Sequence, residues 1–152
     1  MSDNIIIRKA NESDLEEILT LINAPEADNG TAMEFRDASS VYQSILNDSN
    51  YFQLIATNEQ GIVGLVTLVI IEQMTHEGST TAFISDLIVS EKSLNQEAQA
   101  VTASELLQYT ANLAQEYGCY KTIIQSDYQS ELAETACETL SFTKNSHSFL
   151  IY

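Results

Sequence analysis

The sequence is poor in cations. Its 152 residues include 6 Lys and Arg against 22 Asp and Glu, which gives a formal net charge of −16. Proteins that bind nucleic acids need clustered cations to meet the phosphate backbone, and Arg8-Lys9 is the one adjacent basic pair. We therefore expect no nucleic-acid partner. An acidic surface favours solubility, and it would also attract a cationic substrate and repel a polyanionic one.

Cysteine and long apolar runs are scarce as well. Two cysteines, Cys119 and Cys137, are too few for a disulfide framework, and no Cys/His cluster has the spacing of a metal site. The longest apolar runs, such as residues 62–71, are about half of the roughly 20 residues that cross a bilayer, and residues 1–4 do not begin a secretory signal. We therefore expect a cytoplasmic protein with no metal and no membrane partner.

The residues that are present predict one α+β domain over residues 1–152, because 44% of them are hydrophobic and can build one sizeable core. Apolar spacings of three and four predict a helix from residue 13, capped by Asn11 and stopped by Pro25, and further helices at residues 36–46, 98–118 and 131–140. A loop with a turn signal follows the first helix over residues 24–31. Runs of β-branched and aromatic residues predict strands at residues 5–9, 51–56, 62–71, 81–89, 119–125 and 146–152.

This order, β-α-α-β-β-β-α-β-α-β, carries a family resemblance together with two segments around the long helix. The segments are Phe83-Ile84-Ser85-Asp86-Leu87-Ile88-Val89 and Tyr117-Gly118-Cys119-Tyr120-Lys121. Over nearly its whole length the chain resembles the GCN5-related N-acetyltransferases, the GNAT superfamily. The resemblance implies a mixed, mostly antiparallel twisted sheet flanked by helices, with acetyl-CoA as cosubstrate.

The resemblance also implies where acetyl-CoA binds. In the family the fourth strand splays from the fifth, and its backbone pairs with the pantetheine arm, here at Leu87, Ile88 and Val89. The family's glycine-rich pyrophosphate loop lies at the start of the long helix, where backbone amides and the helix dipole meet phosphate. The matching window is Ala98-Gln99-Ala100-Val101-Thr102-Ala103, or a register that begins at Gln96. Neither contains glycine.

Two side chains are candidates for catalysis. The family's proton donor is a tyrosine in the fourth helix, and Cys137 takes its position; a thiol can protonate a departing thiolate because their pKa values are close, near roughly 8.5. Asp86, beside the implied thioester site, is a candidate general base, since burial can raise the pKa of a carboxyl into a useful range. Glu72 and His76 remain alternative bases.

Two functions therefore stay open. The first is an N-acetyltransferase that moves an acetyl group from acetyl-CoA to a small primary amine by direct attack, with Asp86 acting through water and Cys137 or water protonating coenzyme A. The second is an inactive protein of the same fold that serves as a binding or interaction module, which the missing glycines, the missing tyrosine and the acidic charge favour. The sequence does not identify the acceptor amine, and it does not decide whether the protein forms a homodimer.

Overall fold

The computed structural model describes residues 4–24, 34–125, 131–144 and 151. Turns of 3-10 helix lie at Glu12–Asp14 and His76–Gly78. The strands and longer helices are, in chain order, β1 (Ile6–Lys9), α1 (Leu15–Ile22), α2 (Phe35–Asn47), β2 (Tyr51–Asn58), β3 (Gly61–Glu72), β4 (Thr80–Val89), α3 (Gln96–Glu116), β5 (Lys121–Ile124) and α4 (Glu131–Thr139).

These elements confirm the predicted order as far as α4. The predicted loop at residues 24–31 lies outside the described residues apart from residue 24, and the final strand at residues 146–152 apart from residue 151. Within the described residues, five strands form one sheet in the order β1-β2-β3-β4-β5. The first four pair antiparallel, and β5 pairs parallel to β4. The sheet is mixed and mostly antiparallel, as predicted.

Each face of the sheet has its own layer of helices. Side chains alternate between the faces along a strand, and the described core divides in the same way. On one face Val66 and Ile84 pack with Leu106 of α3, and α4 joins this cluster through Ala136. On the other face Leu65 packs beneath α1 and α2. The structure therefore has two apolar layers separated by a single sheet.

Gly64 lets α3 lie close against β3. A Cβ at this position would stand 2.8 Å from Leu106 Cδ1, 3.2 Å from Thr102 Cγ2 and 3.3 Å from Ala56 Cβ. All three distances are shorter than ordinary carbon contacts of roughly 3.5–4.0 Å. The N-terminal half of α3 therefore packs directly on the start of β3, where Gly64 pairs with Val89 at the end of β4.

The opposite layer is tied to the sheet by polar contacts around Asp14. Arg8 of β1 donates two hydrogen bonds to its carboxylate, at 2.7 and 2.8 Å, and the Asn11 N–H donates a third at 2.8 Å. The hydrogen bonds from Arg8 lower the pKa of Asp14 against the effect of its burial. From α2, the Tyr42 hydroxyl donates to the Asn11 carbonyl at 2.7 Å. One buried carboxylate thus joins β1 to the start of α1.

The C-terminal cap of α3 matches the expectation from sequence. Gly118, at φ +78°, ends α3. There the Gly118 N–H donates to Gln115 O and the Cys119 N–H donates to Ala114 O, as in a Schellman cap. No helix in the described part of the chain is long and apolar enough to span a membrane.

Asp14→Asn should lower the free energy of unfolding by about 1–3 kcal/mol at neutral pH, because it weakens charge-assisted bonds to a buried group. The pKa of Asp14 is lower in the folded chain than its ordinary value of roughly 3.9. The stabilisation is therefore complete above that value and is lost as pH falls through the folded pKa. Urea unfolding from pH 7 to pH 3 measures this difference between wild type and variant, with Glu12→Gln, an exposed neighbour, as control.

Candidate functional site

β4 contains one residue more than its pairing with β3 can accommodate. Ser85 and Ile88 keep regular partners on β3, whereas Val66 faces both Asp86 and Leu87. This two-against-one arrangement is a β-bulge. Asp86 has φ +53°, in the left-handed region that residues other than glycine rarely adopt. The inserted residue is Asp86, because Leu87 and Ile88 resume packing on opposite faces of the sheet.

Beyond the bulge, β4 separates from β5. The last paired residues are Ile84 and Ile124, and the Gln125 N–H then donates to the Ile84 carbonyl at 2.9 Å. β4 itself continues to Val89. The C-terminal half of β4 therefore has a neighbour on its β3 edge, while among the described residues none pairs with its other edge.

The register shows which backbone groups face this gap. Ile88 is paired with Leu65 of β3, and the Ser90 N–H donates to the Val63 carbonyl at 2.8 Å, so both direct their backbone groups at β3. Backbone groups of successive strand residues point to opposite edges. The N–H and C=O groups of Leu87 and Val89 therefore point into the gap, and those of Ile88 do not. Of the three predicted pantetheine contacts, two have the required orientation.

The start of α3 differs from the predicted phosphate-binding window. The helix begins at Gln96, its N-cap Asn95 accepts from the Ala98 N–H at 2.9 Å through its side chain, and the Asn95 carbonyl accepts from the Gln99 N–H. From Ala100 onward the amides lie in the helical hydrogen-bond pattern. In the described part of the chain, the first-turn amides of Gln96 and Glu97 have no acceptor.

The prediction of Ala98–Ala103 as phosphate contacts therefore needs correction. Thr102 and Ala103 are buried under α3 against the sheet, with 1% and 0% of their surface exposed. Ala98 and Gln99 have their amides occupied by Asn95. Of the remaining two, Ala100 is half-buried and Val101 exposed, and both amides lie inside the helix. Any contact of helix amides with phosphate is shifted to Gln96 and Glu97.

The connection between β4 and α3 is a closed turn rather than an open glycine loop. Ser93 N–H donates to Ser90 Oγ at 3.1 Å, and Leu94 is 4% exposed, which anchors the turn in the α3-side core. The Gln99 side chain donates to the Leu94 carbonyl at 2.8 Å. The one cation of this connection is Lys92, which is exposed. Its neighbour Glu91 offsets its charge.

A row of polar side chains crosses the sheet beside the bulge, on the face of α1 and α2. Gln53 of β2 pairs with Thr67 of β3, which pairs with Ser85 of β4. Gln53 Nε2 donates to Thr67 Oγ1 at 3.1 Å, and Ser85 Oγ donates to Asp86 Oδ2 at 3.3 Å. The neighbouring row on the same face, at Ile55, Leu65 and Ile88, is apolar and packs against the helices. The polar row was not predicted from the sequence.

Many solved structures have a similar fold, although neither a family model nor a curated protein matches the sequence. A transcriptional regulator from Bacillus halodurans C-125 superposes with a TM-score of 0.82 at 21% identity, covering 98% of this chain and 99% of its own. An aminoglycoside acetyltransferase from an uncultured soil metagenomic sample gives 0.77 at 23% identity, covering 97% and 94%. A predicted acetyltransferase of Clostridium acetobutylicum, solved with acetyl-CoA, gives 0.73 at 15% identity, covering 98% and 96%.

The chain has the GNAT fold. This confirms the resemblance read from the sequence, including the α+β class. The fold alone does not decide between an enzyme and a binding module, because proteins that share a fold can differ in function. The distinction between an enzyme and a binding module therefore depends on the side chains that this GNAT fold brings together.

Cys137, the predicted proton donor, lies on α4 and packs against the α3-side cluster. Burial raises the pKa of its thiol, and the charge of Glu134 adds to the effect. The thiol therefore stays protonated at neutral pH. Cys137 therefore lies on the α3 side of the sheet. Tyr51 lies on the opposite face, because it alternates in phase with Ile55 of the α1/α2 layer. The charge of Asp86 acts on Tyr51, which associates Asp86 with the α1/α2 face.

Glu72 and His76, the alternative bases, lie at the other end of β4. Glu72 pairs with Thr80, six residues before Asp86 along the strand, which is roughly 20 Å. The His76 ring stacks on Tyr120 with centroids 4.6 Å apart. The structure therefore does not bring either side chain to the bulge. Among the described residues, no cluster of three or more His, Cys, Asp or Glu side chains could hold a metal.

The left-handed backbone at Asp86 gives a prediction about stability. Asp86→Gly should be more stable than Asp86→Ala by about 1 kcal/mol, because glycine adopts positive φ without steric cost. Asp86→Asn should stay near the wild type, since asparagine tolerates this region. Urea unfolding of the three variants measures the order.

Ser85 provides the matched control for this prediction, because it keeps a regular partner in the same strand. There the order should reverse, with Ser85→Ala more stable than Ser85→Gly. An alanine that is at least as stable as glycine at position 86 would show that the bulge does not impose a left-handed residue.

Proposed function

We propose that the chain is an acetyltransferase that uses acetyl-CoA to acetylate a small primary amine. The observation that carries the proposal is the gap beyond Ile84, where the backbone groups of Leu87 and Val89 are directed away from β3. An extended ligand can pair with such an edge as an added strand would. The amide-bearing pantetheine arm of acetyl-CoA has this chemistry, and the bulge with Asp86 lies at the inner end of the same edge.

The fit of the phosphate end of acetyl-CoA is poorer. Gln96 and Glu97 offer two amides at the positive end of α3, and Lys92 offers one charge, but Asn95 occupies the third amide and Glu91 opposes the ligand. The pantetheine arm therefore supplies most of the binding in this proposal. Its amide groups are neutral and do not feel the acidic net charge.

The reaction proposed is direct attack. Asp86 accepts a proton from the acceptor ammonium through water, the neutral amine nitrogen forms a bond to the thioester carbonyl carbon, and the bond from that carbon to sulfur breaks. The sulfur leaves as a thiolate and takes up a proton, the attacking nitrogen releases its second proton to solvent, and Asp86 returns the first to solvent. The net reaction converts the ammonium and acetyl-CoA into the amide, coenzyme A and one released proton, so that atoms and charge balance. An amide N–H on the β4 edge stabilises the negative charge that develops on the carbonyl oxygen.

Cys137 is proposed as the donor of the proton that the thiolate takes up. Its raised pKa supports a protonated thiol, which suits a proton donor and not a nucleophile. Cys137 packs in the α3-side cluster, whereas the charge of Asp86 acts on Tyr51 of the α1/α2 face, so the two groups are associated with opposite faces of the sheet. In this proposal the acceptor amine approaches from the α1/α2 face, and the leaving thiolate receives its proton from Cys137 on the α3 face.

The structural neighbours support acetyl transfer and a small amine acceptor, since one is an aminoglycoside acetyltransferase and another was solved with acetyl-CoA. The net charge of −16 supports a cationic acceptor. One observation favours the second candidate, a binding or interaction module: the Asn95 side chain caps the helix end where phosphate would bind. Coenzyme binding separates the two functions.

Acetyl-CoA binding should be weak and should tighten when ionic strength rises from about 0.01 M to about 0.15 M, because screening reduces repulsion between the acidic chain and the phosphates. Acetylpantetheine, which has no phosphate, should bind with little dependence on salt. Titration calorimetry with both ligands measures this. Binding of acetyl-CoA that is tight and weakens on adding salt would contradict the charge argument, and absence of binding by both ligands would favour the interaction module.

Lys92→Gln provides the local control. It should weaken acetyl-CoA binding by about twofold to fivefold at low salt, as expected for one exposed charge, and leave acetylpantetheine unchanged. Lys144→Gln removes the same charge from the segment after α4, where the Lys144 ammonium pairs with Glu134 of α4 at 2.7 Å, and should affect neither ligand selectively.

Asp86→Asn should lower kcat/KM by about 100-fold, the lower end of what a general base contributes, and the remaining activity should rise with pH as free amine becomes available. Cys137→Ala should lower turnover by less than about tenfold, because a thiolate can leave unaided near neutral pH. Glu72→Gln is the control carboxylate at the far end of the sheet. Unchanged kinetics in folded Asp86→Asn would remove Asp86 from the mechanism, and complete inactivity of Cys137→Ala would indicate an acyl-thiol route.

A further inference from the structure

The polar row beside the bulge is a feature that core packing does not explain. Thr67 is only 2% exposed, and it lies on β3 two residues from Leu65, which belongs to the apolar row of the α1/α2 layer. A buried hydroxyl is costly unless it is hydrogen-bonded. Gln53 supplies that bond, and its Nε2 also lies 3.3 Å from the Val66 carbonyl, directly opposite the bulge. The row is therefore a built polar network next to the reactive end of the gap.

Tyr51 extends this network towards solvent. It lies on β2 two residues before Gln53, which places both side chains on the same face. Burial raises the pKa of its phenol and the charge of Asp86 raises it further, while a hydrogen bond with Thr67 acts in the opposite direction. Tyr51 is therefore neutral at physiological pH, half-buried, in contact with Thr67 and within the field of the Asp86 carboxylate.

Asp86 completes the set as a charge without a cation. The ion pairs among the described residues are Arg8 with Asp14 and Lys144 with Glu134. The Asp86 carboxylate is exposed and accepts from Ser85 Oγ. A carboxylate whose charge acts on a neutral hydroxyl of the same face matches an ammonium group, which needs one opposite charge and several acceptors for its N–H groups.

We infer that Tyr51 is an acceptor-binding residue whose hydroxyl, bonded to Thr67, accepts an N–H of a primary alkylammonium that Asp86 neutralises. The phenol oxygen has two lone pairs, of which Thr67 uses one, so the second is available to the amine. This inference rests on the proposed function for its biological meaning, but it concerns amine binding, which can be measured without acetyl transfer. The acidic chain further favours acceptors that carry a second cationic group.

The test compares two dications, 1,6-diaminohexane and hexamethonium, which replaces each ammonium by a trimethylammonium and so has no N–H to donate. Tyr51→Phe should weaken binding of 1,6-diaminohexane about tenfold in calorimetric titration, the effect of losing one hydrogen bond to a charged group. Hexamethonium binding should not change, because the variant keeps every charge. Thr67→Val, with its hydroxyl removed and its shape kept, should weaken diamine binding in the same direction by a smaller factor.

Tyr109→Phe is the matched control, since Tyr109 is an exposed tyrosine on α3, and it should bind both dications as the wild type does. Equal diamine affinity in Tyr51→Phe and wild type would overturn the inference. So would an equal loss for hexamethonium, an equal loss in Tyr109→Phe, or a wild type that does not bind the diamine more tightly than hexamethonium. Urea unfolding establishes that each variant is folded.

Turnover gives a second readout that separates this inference from the proposed function. If the wild type acetylates 1,6-diaminohexane, Tyr51→Phe should raise KM for the diamine about tenfold with kcat within about twofold, since the hydroxyl binds the amine equally before and during reaction. An unchanged KM would overturn the role of Tyr51 and leave the enzyme proposal intact. A wild type that binds no acetyl-CoA would overturn the enzyme proposal, while the comparison of dications would still decide the role of Tyr51.

Discussion

A strand that pairs with a neighbour on each edge cannot keep both ladders in register once one extra residue is inserted into it. In β4 the extra residue is Asp86. The pairing of β4 with β3 continues on both sides of the bulge, whereas its pairing with β5 ends at Ile84. The β3 edge is preserved because it lies over both apolar layers, and its loss would uncover the core. The β5 edge is therefore the one that opens. The gap, the backbone groups of β4 that no described residue pairs with, and the exposed carboxylate all follow from one inserted residue.

The two faces of the sheet then acquire different chemistry next to the same bulge. On the α3 side Gly64 brings the helix down onto the strands, and the space is filled by apolar side chains. On the α1/α2 side the polar row interrupts the core, and the layer is held by a few directional contacts. Two of these are the Arg8 pair with Asp14 and the Glu17 carboxylate, which accepts from the Ile62 N–H at 3.0 Å. Among the described residues, the hydrogen-bonded row next to the bulge therefore lies on the α1/α2 face.

The sequence could predict the fold because the apolar periodicity and the turn residues agree with the final structure. Asn11 begins a capped turn before α1, and Gly118 ends α3 in the left-handed conformation. These are local signals that depend on neighbours in the chain. The register of α3 could not be predicted as well, because Ala98–Ala103 suit a helix interior, and only the Asn95 side-chain bond shows where the helix begins.

The bulge itself left no clear mark in the sequence. Both faces of β4 are covered by core, so the segment from Ile84 to Val89 is apolar in either phase apart from Ser85 and Asp86, and a shift of alternation by one residue is invisible in such a pattern. The polar row was missed for a related reason. Gln53, Thr67 and Ser85 stand in three different strands, and only the register of the sheet places them side by side.

The net negative charge of the chain acts in opposite directions on the two proposed substrates. A field that attracts an ammonium to Asp86 repels the phosphates of coenzyme A, and six cations do not compensate it. The conflict is reduced if the two substrates are held by different kinds of interaction. Hydrogen bonds from the β4 edge to a neutral pantetheine arm are insensitive to net charge, whereas the contact between Asp86 and an ammonium is electrostatic. In the proposed function a glycine-rich phosphate loop is then less necessary, because the edge of β4 would bind the coenzyme and Asp86 would bind the amine.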